Sequence, residues 1–173
     1  MAALAADVGE AAPPSAPASA EEVVEWLEGW RLPTNLAPDS LRAIRTGVAA
    51  TLWSLAAQDG RIDVLEYLKS KGLLDMINEP DQSRRTPLHM ANVYNQEEAA
   101  RWLMEHAADI NAISTYGCTV FEIACGEHMS FSFVEELAGK VAPDHLTLTA
   151  VGESFHDLSP MRQAFQRDGI PTD

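Results

Sequence analysis

The chain has 173 residues and a net charge of −14, from 12 Lys and Arg against 26 Asp and Glu. That length suits one domain or one short repeat array, and the acid excess argues against nucleic acid or an anionic membrane as partner, because phosphate contacts need a basic footprint. Two cysteines cannot make a disulfide framework, and no apolar run approaches the ~20 residues of a spanning helix, so a reducing intracellular setting, cytoplasmic or nuclear, without membrane insertion is expected.

Residues 1–19 form an Ala/Pro/Ser-rich stretch whose first basic neighbour is Arg31. It lacks the basic start of a secretory signal and the arginines of a transit peptide, and is expected to be a disordered tail. An organelle stays open only where a presequence has already been removed. Residues 20–50 read as an N-terminal helical cap. Ser19 and Glu22 fit a capping box, and Glu21 and Glu22 suit the dipole of a helix start. Val23, Trp26, Leu27 and Trp30 recur at helical spacing. This stripe either packs on the main body or offers Trp26 and Trp30 as a second docking contact for a partner.

Pro33 and Pro38 bracket an irregular connection. Beyond it Leu41, Ile44, Val48, Leu52 and Leu55 step by three and four residues. The spacing predicts one helix, capped by Asp39 or Ser40 and running to Gln58, with Gly47 as a point of weakness and Gly60 as its stop.

A repeat dominates the middle of the chain. In the segment from Thr86, Thr86 is a helix cap and Pro87 occupies the first helical position, where its missing N–H costs nothing. Leu88 and Ala91 face inward. Asn95 can take the left-handed conformation that ends a helix. Ala99, Trp102 and Leu103 form the buried stripe of a second helix, and Asp109 and Asn111 are turn formers. A related pattern lies 35 residues upstream, with Leu55-Ala56-Ala57, Gly60, Val64-Leu65, Leu68 and Gly72. Another begins at Thr119, with Ile123-Ala124 and then Phe133, Val134 and Leu137 after one inserted residue near Met129.

The run Thr86-Pro87-Leu88-His89-Met90-Ala91, with Ala107-Ala108-Asp109-Ile110-Asn111-Ala112 closing its second helix, resembles the ankyrin repeat position by position. The resemblance implies an all-α solenoid of about three repeats, 51–85, 86–118 and 119–140, with helical caps at both ends and short hairpin turns between repeats. Residues 141–173 are then a C-terminal capping segment, with a degenerate helix near Leu146–Val151 and a last one opened by Ser159-Pro160. Three departures stand out. No turn chemistry is visible before Thr51, Ala107 replaces a usual glycine, and Arg84 replaces the hairpin glycine that Gly117 keeps.

Catalytic chemistry is hard to find. His89 belongs to the repeat motif, where it is expected to bond Thr86 and the neighbouring loop. Cys118, Cys125 and His128 invite a metal reading, yet their spacing is no zinc signature and no fourth ligand is evident. Glu97-Glu98 and Glu135-Glu136 read as solvated helix surface. No phosphate loop or nucleophile motif occurs, so the chain is expected to be no enzyme and to need no cofactor.

Leu103, Asp109, Ile110 and Asn111 resemble the pattern that asparaginyl hydroxylases recognise; the plainer reading is that Asn111 braces its turn. The resemblance further implies a protein partner gripped on a concave face. The expected contacts are Gln58 and Asp59 in the first repeat, Gln82, Ser83, Arg84, Arg85, Val93 and Tyr94 in the second, and Thr115, Tyr116, Cys118 and Glu127 in the third. The Arg84-Arg85 pair could fork onto a partner carboxylate. The role is then an adaptor or a small subunit of a larger assembly. The alternative is a regulatory inhibitor whose acidic surface masks a basic partner.

Overall fold

A computed structural model describes residues 16–126 and 129–142. Helix α1 spans Ala20–Gly29 and opens on the expected capping box: Ser19 Oγ accepts from the Glu22 N–H, and Glu22 Oε2 accepts from the Ser19 N–H. Leu32 N–H closes the helix end on the Leu27 carbonyl, with Arg31 in the left-handed region at φ 55°. Val23, Trp26 and Leu27 are buried.

The single helix expected from Ser40 to Gln58 is two helices, α2 at Pro38–Ala43 and α3 at Leu52–Gln58. Neither Asp39 nor Ser40 is the cap; Ala37 holds that position and Pro38 opens the helix. Between them the Thr46 N–H bonds the Ala50 carbonyl, the Ala49 N–H bonds the Thr46 carbonyl, and Ala49 sits at φ 58°. Val48 fits the helical stripe by spacing alone; it lies on a turn and is 52% exposed. Turn chemistry before Thr51 is therefore present, with Thr46 in a place that Asp81 and Ser114 hold later. The turn wins over the helix because the next hairpin needs its backbone: the Gln82 N–H bonds the Val48 carbonyl.

Helix α4 runs Ile62–Ser70, followed by a short 3-10 turn at Leu74–Met76. Helices α5 (Pro87–Val93) and α6 (Glu97–Glu105) form the next pair, and α7 (Val120–Gly126) and α8 (Phe131–Ala138) the last. The first helices stack side by side, α3 on α5 and α5 on α7, while α4 packs on α6 in an outer layer. The stretches from Thr51, Thr86 and Thr119 thus lie next to each other in chain order. The expected C-terminal elements beyond residue 142 lie outside the described residues.

Each inner helix starts on a threonine whose partner three residues on differs. Thr51 Oγ1 accepts from the Ser54 N–H, the Thr86 N–H donates to His89 Nδ1, and Thr119 exchanges bonds with Glu122 in both directions. Left-handed residues end both the inner and the outer helices of the first two pairs. Gly60 and Asn95 occupy equivalent places at φ 67° and 57°, as do Gly72 and Ala107 at 75° and 66°. Asn95 takes the conformation read for it. Ala107 keeps the turn without its glycine, at a cost of about 1–2 kcal/mol for a Cβ in that region.

The core is continuous from α1 to α8 and is built of fully buried Leu27, Leu65, Leu68, Leu88, Leu103, Phe121, Phe133 and Leu137. No repeat closes its own apolar face, so each is stabilised by its neighbours. Trp53 and Trp102 stack across the first boundary with ring centroids 6.0 Å apart. Their N–H groups are met by the Leu73 carbonyl at 3.0 Å and Glu66 Oε1 at 2.7 Å. Polar bonds link the connecting loops. Arg42 bonds Asp75 and Arg45 bonds Glu79. Asn78 Oδ1 accepts from the Asp109 N–H, and its counterpart Asn111 Oδ1 accepts from the Ala142 N–H. Asn111 therefore braces the following loop.

Candidate functional site

Three hairpin turns share one backbone. In each, the N–H of Thr46, Asp81 or Ser114 bonds the carbonyl four residues on, at 3.1, 3.0 and 3.0 Å. The left-handed residue of each is Ala49, Arg84 or Gly117, at φ 58°, 57° and 77°. Neighbouring turns are bonded to one another, Gln82 N–H to the Val48 carbonyl at 3.1 Å and Thr115 N–H to the Ser83 carbonyl at 2.8 Å. The tips are thereby held in a row beside the starts of α3, α5 and α7. Backbone hydrogen bonds of this kind fix side-chain direction without consuming side chains.

The residues singled out in the sequence separate into free and engaged. Tyr116 is 77% exposed on the third tip, and Tyr94, at the end of α5, is 48% exposed. Gln82, Arg84 and Thr115 are exposed on the hairpins, with Ser83 half-buried beside them. Gln58 and Val93, equivalent residues closing α3 and α5, are half-buried. Cys118 is half-buried at the base of the third turn. Glu127 and His128 lie outside the described residues.

Two residues are engaged within the chain. Arg85 does not offer a fork to a partner. Its Nε lies 2.9 Å and its terminal nitrogen 2.7 Å from Asp81 Oδ2. Asp81, whose side chain is only 1% exposed, also accepts the Ser83 and Arg85 N–H groups on Oδ1, at 2.8 and 2.9 Å. A buried carboxylate is tolerated only with such full satisfaction, which explains why Arg85 turns inward. Of the arginine pair, Arg84 alone projects. Asp59 is likewise taken: its Oδ2 accepts the indole N–H groups of Trp26 and Trp30, each at 2.8 Å. The same bonds latch α1 on the end of α3 through both indole N–H groups, with Trp26 buried and Trp30 half-buried.

His89 carries structure. Its Nδ1 accepts the Thr86 N–H at 3.1 Å and lies 2.9 Å from Thr86 Oγ1. Burial pushes the imidazole below its ordinary value of 6.5, opposed by the Cys118 backbone and the Asp81 carboxylate. Cys125 is buried, and burial together with the Glu122 carboxylate pushes its thiol up to about 12. A thiol so protonated is a poor nucleophile and a poor metal ligand. Among the described residues no three His, Cys, Asp or Glu side chains are grouped to hold a metal ion.

The row of turns could have been found from spacing: Thr46, Asp81 and Ser114 each stand five residues before a helix-opening threonine. The latch and the Asp81–Arg85 pair have no such signal, since each joins partners by the folding of a loop or by contacts 29 and 33 residues apart.

The family description "Ankyrin repeats (3 copies)" matches residues 21–114 and, overlapping, 53–146. The chain belongs to the ankyrin-repeat family. Among curated proteins, it is 34% identical to the NF-kappa-B inhibitor cactus of Drosophila yakuba over 109 residues, 62% of this chain and 21% of that protein. It is 32% identical to mouse protein phosphatase 1 regulatory subunit 12A over 90 residues, 52% of this chain and 8% of that one. With the palmitoyltransferase akr1 of Schizosaccharomyces pombe it shares 39% over 59 residues, 34% of this chain and 9% of the relative. The chain thus spans about a fifth or less of these relatives. Ankyrin repeats make it a protein-binding solenoid, and among the described residues no helix is long and apolar enough to cross a membrane.

Proposed function

We propose that this ankyrin array is a non-enzymatic interaction module, an adaptor or a small subunit of a larger assembly, that grips a protein partner along the hairpin row and the ends of the inner helices. One observation carries the reading. Three consecutive tips are locked side by side by main-chain bonds, and they present Val48, Arg84 and Tyr116 outward, with Tyr94 at the end of α5. Tyrosine and arginine are the side chains that interface anchors favour, and a prealigned row lowers the ordering cost of binding. Gln58, Gln82, Ser83, Val93, Thr115 and Cys118 complete the contact surface. Arg85 and Asp59 support it through their bonds within the chain, and Glu127 is proposed as a further contact of the third repeat. No cofactor takes part, and nucleic acid is disfavoured by the charge of the chain.

Site-specific photo-crosslinking tests the reading. A photoreactive side chain at Tyr94 or Tyr116 is expected to capture the partner, whereas one at Glu105, exposed at the end of outer helix α6, is not. Capture from Glu105 alone would move the interface to the convex side and end this proposal.

A second reading follows from α1. Glu21, Glu25 and Glu28 line a shallow surface depression together with Ala20, Val24 and Leu36. Carboxylates at such spacing repel one another, so a basic partner surface would relieve them. This is the charge-masking inhibitor, and the relatives named as an inhibitor and as a regulatory subunit are in keeping with it. Its binding would weaken steeply with salt, because exposed pairs are screened over about 8 Å at physiological ionic strength.

A further inference from the structure

Arg84 is the feature of the hairpin row that the repeat alone does not explain. It sits at φ 57°, where glycine is at ease and a side chain is not. Its counterpart Gly117 shows what the turn prefers, and Ala49 shows that the turn tolerates a Cβ. Arg42, Arg45, Arg61, Arg85 and Arg101 are each tied to a carboxylate of the chain; Arg31, which closes α1 and is not on the row, shares the left-handed conformation and exposure of Arg84. Arg84 is exposed and, among the described residues, its guanidinium meets none, although the chain as a whole carries −14. On either side along the row stand two exposed apolar side chains, Val48 and Tyr116. Its N–H closes the turn on the Asp81 carbonyl, so the part of Arg84 left to meet a ligand is the exposed guanidinium.

We infer that the hairpin row recognises an extended protein segment carrying a single carboxylate between two apolar side chains. The inference rests on the groove reading above and names its partner chemistry. The guanidinium takes the carboxylate in a two-pronged bond. Val48 and Tyr116 cover the flanking side chains and keep water from the ion pair. The segment is otherwise free of acids, because the field of an acid-rich body repels any further carboxylate.

The test uses the full chain and synthetic peptides with a central Glu, Gln or Lys between Leu and Phe at varied spacing, read by fluorescence anisotropy. Some Glu peptide is expected to bind about tenfold more tightly than its Gln twin, with Lys weakest. Arg84→Glu should reverse that order. Arg84→Gly should level Glu with Gln and leave the melting temperature unchanged or higher, which separates lost recognition from lost fold. Equal binding of Glu and Gln twins, or no saturation below millimolar peptide, overturns the inference. Tyr94→Ala and a Val48→Ser/Tyr116→Ala double variant separate the two layers. If these abolish binding while both Arg84 variants leave it unchanged, the groove stands and the carboxylate assignment falls. If binding survives all of them, both fall.

Discussion

Removing the Asp59 carboxylate should loosen the N-terminal helix before it touches anything else. In Asp59→Ala, the indole N–H groups of Trp26 and Trp30 lose an acceptor at 2.8 Å each. Hydrogen bonds to a charged group contribute about 1.5–3 kcal/mol. Asp59 is exposed, so each is discounted toward about 1 kcal/mol, and the pair together comes to about 2 kcal/mol. For a chain of this size that is about 4–8 °C in melting temperature. Asp59→Asn keeps a neutral acceptor and should lose about half as much. The assay is thermal unfolding followed by tryptophan fluorescence, with the two indole N–H resonances read by NMR. Both resonances should move in Asp59→Ala, and amide exchange should quicken over 20–29 more than over α5. An unshifted melting temperature, or loss of partner binding with α1 undisturbed, would refute the latch and return Asp59 to the partner surface.

Further outcomes follow from charges and burial. His89 has a folded value lowered from 6.5, so the unfolded chain takes up the proton first as pH falls. Its share of stability is complete above about 6.5 and is lost as pH drops toward the folded value. Urea midpoints measured between pH 7.5 and 5 should therefore decline in the wild type and less so in His89→Gln. Asp63, lowered from 3.8 chiefly by its bond to Arg61, acts in a lower window: its contribution is present above about 3.8 and lost further down. With its thiol at about 12, Cys125 should resist a thiol-labelling disulfide reagent at pH 8 until the protein is unfolded, while half-buried Cys118 reacts in the native state, as mass spectrometry will show. Asp81→Ala leaves Arg85 and two backbone N–H groups without their acceptor, and should cost about 3–5 kcal/mol by urea unfolding. Arg85→Ala should cost less, because the carboxylate keeps its two N–H donors.

The parts legible in the sequence are those written in local, repeated chemistry. Thr86-Pro87 and the inward Leu88 and Ala91 specify an inner helix wherever they stand, and the left-handed Asn95 turn follows from the residue itself. Spacing misleads over 44–51. Ile44 and Val48 share helical spacing with Leu52, and spacing cannot tell a residue on a helix face from one on a turn at the same interval. What decided it was the neighbouring hairpin, a contact 34 residues away in the chain. The site divides along the same line. Exposure of Tyr94 and Tyr116 follows from their place in the repeat. Engagement of Arg85 and Asp59 follows from which carboxylate or indole the folded loop brings near, and composition does not show that. Between two adjacent arginines, only burial of Asp81 distinguishes the structural one from the projecting one.

The common backbone of the three turns makes Ala49 a control for Arg84. Both are Cβ-bearing residues in the left-handed region at nearly the same φ, and both turns are closed by equivalent bonds. Glycine at either place should relieve about 1–2 kcal/mol of steric cost, against about 0.5–1 kcal/mol of added unfolded-state entropy, for a net gain near 0.5–1 kcal/mol. If main-chain strain were the whole story, Ala49→Gly and Arg84→Gly would behave alike in every measurement. They should agree in stability and part company in binding, because Ala49 carries no group that could meet a ligand. A partner reading this row meets the same main chain at each tip, so discrimination between partners falls to the side chains. Equal loss of affinity in the two variants would show that the stiffness of the turn, rather than the guanidinium, is what the partner requires.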